Sequence, residues 1–427
     1  MMRCYVVTVL VVGFSSLTAC GGASNGVFAP RVPAASVRPL SDVLYSFGAS
    51  PDAEHPSAGL LAGKKGEYYG TSFYGGSTGD GAVYEVTVAG KEKVLYSFQG
   101  SPDGANPKST LIMDKDGALY GTTEFGGSSY CGYGCGIVFK LTPGTQGWSE
   151  SVLYEFQGGN DGARPVGGLM TTTGGALFGT TENGGGDNGG VVFALTPSGS
   201  TYSETIIHAF AGPPDGFNPT AALISDSNGN LYGTTFAGGF HDTNDCPTGG
   251  CGTVFKLRPS SSTYTESVIY KFKGGRGGKF PSGGLLPGPN AVFYGLTAVG
   301  GPHGDGTVFE LTPKGSHRER ALYEFKGGSN GSNPDDTPGL VADRSGNLYG
   351  TTVYGGGATA CTNGCGTVFK LVPAAKGFTE SVVYAFQGGA DGANPYGSVL
   401  IGSKGNLLGP TYIGGIRNFG TIFSIAP

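Results

Sequence analysis

Residues 94–141 read VLYSFQGSPDGANPKSTLIMDKDGALYGTTEFGGSSYCGYGCGIVFKL. Four short apolar runs are visible, at 94–98, 110–113, 118–123 and 136–141. Alternation puts Val94, Tyr96 and Phe98 on one face of the first run, the period of a half-buried strand. Asp103-Gly104-Ala105-Asn106-Pro107 is a turn, and Asp114-Lys115-Asp116-Gly117 ends the second run. Gly126-Gly127 opens a loop, and Thr142-Pro143 closes the fourth run. No run carries a useful helical apolar period, so the unit is four strands.

The unit repeats. Tyr-Gly-Thr or a near variant recurs with its glycine at Gly70, Gly121, Gly179, Gly233, Gly295, Gly350 and Gly409, at spacings of 51 to 62 residues. Seven copies fill residues 43–427. Four short strands per repeat at this period predict an all-β, seven-bladed β-propeller, with four antiparallel strands per blade. A β-solenoid or open array is the alternative. The ends of the chain favour the ring. With the Leu-Ile-Met run as innermost strand A, Leu-Tyr-Gly-Thr is B, Val-Phe-Lys-Leu is C and Val-Leu-Tyr-Ser-Phe is D. The last copy then lacks a D strand, and the unmatched strand at 43–47 supplies it, closing the ring on the C-terminal blade. An open solenoid would want atypical capping repeats, and none is seen.

The repeat unit is DGxNP, a Leu-Ile strand, GNLYGTT, GG and GTVFKLTP. Close matches are Asn230-Leu231-Tyr232-Gly233-Thr234-Thr235 and Gly366-Thr367-Val368-Phe369-Lys370-Leu371. The unit resembles the GloVer tandem repeat of bacterial surface proteins. The resemblance implies a surface-anchored repeat protein and brings no reaction and no catalytic residues. Copy five departs from it, with Arg276-Gly277-Gly278-Lys279-Phe280-Pro281 in place of the aspartate turn. Copy seven has Gly409-Pro410.

Glycine accounts for 83 of 427 residues and proline for 26, close to a disordered composition. Hydrophobics at 38% and aromatics at 11% supply enough apolar surface to fold. Charged residues are 13% and the net charge is −5, which argues against a nucleic-acid surface. Residues 1–19 read as a lipoprotein signal peptide: Arg3, a short apolar run, then Leu17-Thr18-Ala19 before Cys20, which resembles the bacterial lipobox. Cys20 is the expected lipidation site, residues 20–41 a flexible tether, and 42–427 the propeller. By resemblance to lipoprotein sorting, the expected address is extracytoplasmic, on the outer membrane if the host has one. The membrane is then a partner through the anchor.

Six further cysteines form three close pairs: Cys131/Cys135, Cys246/Cys251 and Cys361/Cys365. They fall only in the three copies whose loop after Gly-Gly is long. Disulfides are the direct reading in an oxidising compartment, with zinc as the rival. The D–A and B–C loops share one end of every blade, here called the loop face. The aspartate turns there (Asp52, Asp103, Asp161, Asp215, Asp391) read as structural, because aspartate bonds its own turn backbone.

Polar residues outside the repeat pattern are the candidate ligand-binding set. They are His241, Asp242 and Asp245 in copy four, His303 and Asp305 in copy five, His55 in copy one, and the inserted Asp335-Asp336 of copy six. Histidine beside carboxylates suits metal binding or acid–base work. His208 and His317 read as structural. No catalytic motif stands out and no cofactor is implied; whether a metal binds is left open. The reading is a binding or scaffold module for a protein or surface glycan held on the loop face, with Phe125, Phe217, Phe236, Phe240, Tyr354 and Tyr396 as stacking aromatics. The alternatives are a propeller hydrolase or lyase acting on a polysaccharide or small molecule, centred on His241, Asp245, His303 and Asp305, and a structural surface protein without a specific ligand.

Overall fold

The second repeat folds as one antiparallel sheet: Ile112–Met113 (A), Leu119–Gly126 (B), Ile137–Gly144 (C) and Gly147–Glu155 (D). Six more sheets of the same order stand in the computed structural model. It describes residues 41–427 except 173, 200, 242–244, 247–248, 262, 314–317, 335–338 and 376. Cys20 and the signal and tether segments up to residue 40 lie outside the described residues, as does His317. Among the described residues no α-helix occurs, only short 3-10 turns.

The ring closes as the strand arithmetic predicts. Ser41–Ser46 is the fourth strand of the sheet that holds Leu400–Ile401, Leu407–Thr411 and Thr421–Ile425. It runs antiparallel to Thr421–Ile425, with Val43 opposite Phe423 and Ser46 opposite Thr421. The Phe47 amide continues the ladder, donating to the Gly420 carbonyl at 3.0 Å. Strand A is innermost, as the short approaches between neighbouring inner segments show. A methyl group on Gly59 would meet Ser398 of the seventh blade and Thr110 of the second. Gly284 and Gly339 of adjacent blades form a bridge.

One strand departs from plain alternation. The C–D pair of the first blade has a bulge between Val83 and Tyr84, where Val83 faces Tyr96 and Tyr84 faces Val94. The extra residue, Leu95, turns into the core and is 9% exposed. The same irregularity marks the C–D pair of every blade.

Each blade junction is built on one aromatic pair. The phenylalanine after strand D meets the central ring of strand C in the next blade: Phe47–Tyr84, Phe98–Phe139, Phe156–Phe193, Phe210–Phe255, Phe272–Phe309, Phe325–Phe369 and Phe386–Phe423. Centroids are 5.0 to 5.2 Å apart. The repeated glycine of strand B follows from this. Gly121 sits opposite Phe139, and a Cβ there would come within 2.6 Å of the ring. The glycine therefore makes room for a phenylalanine of its own blade, which then reaches the neighbour. The threonine after it links blades directly. Thr71, Thr180, Thr234 and Thr351 donate to the carbonyls of Ser109, Ala221, Gly283 and Gly397 on the following blade.

Candidate functional site

The D–A turn of every blade ends on a residue with left-handed backbone just before a proline. These are His55, Asn106, Arg164, Asn218, Phe280, Asn333 and Asn394, with φ between 53° and 59°. Asparagine tolerates this conformation best, and it fills four of the seven places. Asn106, Asn218 and Asn394 donate from Nδ2 to the carbonyls of Phe73, Glu182 and Val353, each at the end of the preceding blade's strand B. His55 does the same work. Its Nδ1 lies 2.9 Å from the Tyr412 carbonyl, so Nδ1 carries the proton, and the ring packs among Tyr74, Tyr412 and Phe419.

Arg164 and Phe280 break the pattern, at a steric cost the fold does not require. The Arg164 guanidinium is clasped by two carboxylates. Nε and Nη2 donate to Glu124 Oε1, Nε at 3.0 Å, and Nη2 also meets Glu182 Oε2 at 3.1 Å. Glu124 is 4% exposed. Burial works against the guanidinium charge, but the Glu124 hydrogen bond and the two carboxylates hold it protonated. Arg164 also lies over the Phe125 ring, 5.6 Å from its centroid. Phe280 stacks on Phe236, with centroids 4.8 Å apart and planes 12° from parallel.

Arg164, Glu182 and Phe236 line a cavity of about 380 Å³ on the inner side of blades two to five. Lys108, Arg164, Glu182, Asn218 and Phe236 form its polar and aromatic wall. Thr110, Gly168, Ala222 and Gly284, from the inner segments of four blades, line its other side. The small residues leave the volume open; the variable ones decorate it. Basic, acidic and aromatic groups thus share the lining of a space of small-ligand size.

The candidates chosen from sequence lie elsewhere. Asp245 sits in the loop stapled by Cys246–Cys251, where its carbonyl accepts from Lys279 Nζ at 2.8 Å and its side chain packs against Gly274. Asp305 accepts from the Ser332 hydroxyl, and its carbonyl accepts from the Asn333 amide at 2.8 Å. His241 and His303 are exposed. None of these, nor His55, lines the cavity. Among the described residues, the single group of three or more histidine, cysteine or acidic ligand atoms within 4.8 Å of one another is at the outer rim and contains none of them. Asp242, Asp335 and Asp336 lie outside the described residues. The three cysteine pairs are disulfides: Cys131–Cys135, Cys246–Cys251 and Cys361–Cys365, with Cα atoms 5.0, 5.2 and 5.2 Å apart. The aspartate turns are held within their own loops. Asp103 accepts from the Gln99 amide and the Tyr96 hydroxyl, and Asp161 from the Gln157 amide and the Tyr154 hydroxyl.

Glu124, Arg164 and Glu182 escape a search for histidines and inserted loops. Their signal is a substitution within two repeat columns. Arg164 stands where DGxNP has asparagine, and Glu124 and Glu182 follow the Gly-Thr-Thr where other copies carry Phe73, Phe236, Ala298, Val353 or Tyr412.

No curated protein matches the sequence. Among solved structures, a Bacteroides uniformis protein assigned as a 6-phosphogluconolactonase aligns with TM-score 0.50 and 13% identity, over 81% of this chain and 89% of that one. The extracellular domain of a B. thetaiotaomicron protein assigned as a one-component system aligns with TM-score 0.52 and 10% identity, over 88% of this chain and 39% of that one. At these identities the likeness is one of fold. The repeat itself is matched throughout: residues 17–245 and 243–427 fit the Gloeobacter/Verrucomicrobia repeat, and the chain belongs to that repeat family.

Proposed function

We propose that the protein is a glycan-binding module, held at an extracytoplasmic membrane surface by lipid on Cys20, with its ligand in the inner cavity of blades two to five. The observation that carries this reading is the replacement of asparagine at two left-handed positions by Arg164, which lines that cavity, and by Phe280, which stacks on the cavity residue Phe236. A ring that needed only closure would keep asparagine there, as four blades do. The replacements supply what saccharide recognition uses: fixed charged donors and acceptors for hydroxyl groups, and an aromatic wall for the apolar face of a sugar ring. The Glu124–Arg164–Glu182 clasp fixes the polar groups before binding, which lowers the entropy lost on association.

The test is a glycan array probed with the purified protein and with a Glu124→Val/Arg164→Asn variant. That variant installs the Val353/Asn394 pair of blades six and seven, so it removes the charges in a form the fold already uses. Saccharide binding by the parent, weakened at least tenfold in the variant, supports the reading. Equal binding by both refutes the site. Turnover of a bound saccharide would move the assignment to the hydrolase or lyase alternative.

A further inference from the structure

A second constellation lies at the outer rim, away from the cavity. At six blade junctions, the glutamate of a D strand reaches the loop that precedes its blade: Glu92, Glu150, Glu204, Glu266, Glu319 and Glu380, each with a buried Oε1 that has no hydrogen-bond partner among the described residues. The preceding D strand presents a tyrosine to five of these places: Tyr45, Tyr96, Tyr154, Tyr270 and Tyr323. Tyr45, Tyr96 and Tyr154 donate to the turn aspartates Asp52, Asp103 and Asp161. At the junction of blades three and four the tyrosine is replaced by His208. There His208, Asp215 and Glu266 offer three ligand atoms that all lie within 4.8 Å of one another.

We propose that His208, Asp215 and Glu266 form a divalent-cation site, with zinc the best-fitting ion, that ties the third blade to the fourth. His208 Nε2 and Asp215 Oδ2 are 3.2 Å apart. Two ligands at about 2.0–2.1 Å from a tetrahedral zinc stand about 3.3 Å apart, so this edge of the polyhedron is already formed. Asp215 is oriented by the amides of Gly216 and Ala211, as the outer partners of metal ligands are. Glu266 brings the third ligand from the neighbouring blade, and its Oε1 is one of the buried atoms without a hydrogen-bond partner among the described residues. The set is one nitrogen and two carboxylates, with a water completing four-coordination, a donor set that suits zinc. The tyrosine junctions place the same carboxylates beside a phenol whose proton is held more tightly by burial and by the aspartate, as at Tyr154, so they lack a comparable third ligand. This site does not depend on glycan binding.

The natural control is His208→Tyr, which restores the residue of the other junctions. The chelator-treated full-length protein, His208→Tyr and Glu266→Gln are titrated with Zn²⁺ by calorimetry and with Co²⁺ by visible absorption, and Tm is recorded with and without zinc. The expected result is one zinc per chain in the parent, a tetrahedral cobalt spectrum and a zinc-dependent rise in Tm. In His208→Tyr affinity falls by about a hundredfold or more while the metal-free Tm is kept. A His241→Ala/His303→Ala variant distinguishes adventitious binding at exposed histidines. The proposal is overturned if the parent binds no zinc, if His208→Tyr binds it as well as the parent, or if only the His241/His303 variant loses it.

Discussion

Replacing Phe47 with alanine tests the closure of the ring. Phe47 is fully buried, and its ring lies 5.1 Å from that of Tyr84 in the first blade and 5.1 Å from that of Tyr45. Truncating a buried phenylalanine costs about 3–5 kcal/mol in transfer and cavity terms. The compact unit runs from Pro39 to Pro427. Unfolding it as one cooperative body carries an entropy of about 0.8 kcal/mol per kelvin, so the expected fall in Tm is about 4–6 °C. Phe210→Ala removes the same kind of contact, with Phe255 at 5.1 Å, at a junction inside the chain. The two variants should lose comparable stability but differ in where they loosen. Only Phe47→Ala frees a strand that is joined to its blade by pairing alone, so amide exchange at 41–47 should rise well before global unfolding. The assay is calorimetry with site-resolved hydrogen exchange. The reasoning fails if Phe47→Ala leaves Tm unchanged, or if 41–47 exchange no faster than in Phe210→Ala.

Three further outcomes are expected. Burial first, and then the Asp52 carboxylate, push Glu92 up to about 8, and burial with Asp103 pushes Glu150 up to about 7, from an ordinary 4.5. The folded state then holds these protons more tightly than the unfolded chain. Stability should be full below about pH 4.5 for these groups and fall as pH rises through 7 to 8, a slope that Glu150→Gln should reduce and whose persistence there would refute the cause. Gly233→Ala places a Cβ 2.5 Å from Phe255 and 2.9 Å from Leu223, and should cost about 1–3 kcal/mol, whereas Gly174→Ala, with nothing within 4 Å, should be near neutral in denaturant titrations. Removing Cys131–Cys135 as a serine pair opens a loop of sequence separation 4, so the loss should stay near or below about 2 kcal/mol by chemical denaturation; unfolding of the ring would contradict this.

Much of the architecture was legible because it is periodic. Seven glycines, seven strand sets and one unmatched strand at 43–47 predict a closed ring, and the pairing of Ser46 with Thr421 bears this out. The reason for the glycine was less legible. Spacing reveals that something passes close to Gly121, but only the register opposite Phe139 identifies its own blade's ring as the neighbour. Leu95 was missed because a bulge inserts a residue into a strand that otherwise alternates. The cavity residues were obscured by the search rule. Histidines and long loops catch the eye, yet His55 turns out to fill the structural place of an asparagine. Arg164, an unremarkable arginine in a turn, meets Glu124, 40 positions away, only when adjacent blades pack. Reading each repeat column for its exceptions, rather than each loop for its polar residues, would have found Arg164, Glu124 and Glu182 from the sequence.

The inner cavity of blades two to five is the proposed ligand site. The measurement that tests it most directly is amide exchange with and without the oligosaccharide best bound on the array. Slowed exchange is expected at 108–110, 164–168, 218–222 and 282–284, the segments that line the cavity. Protection confined to the loops at 241–251 and 303–305, or to the A–B turn at 226–230, would contradict it.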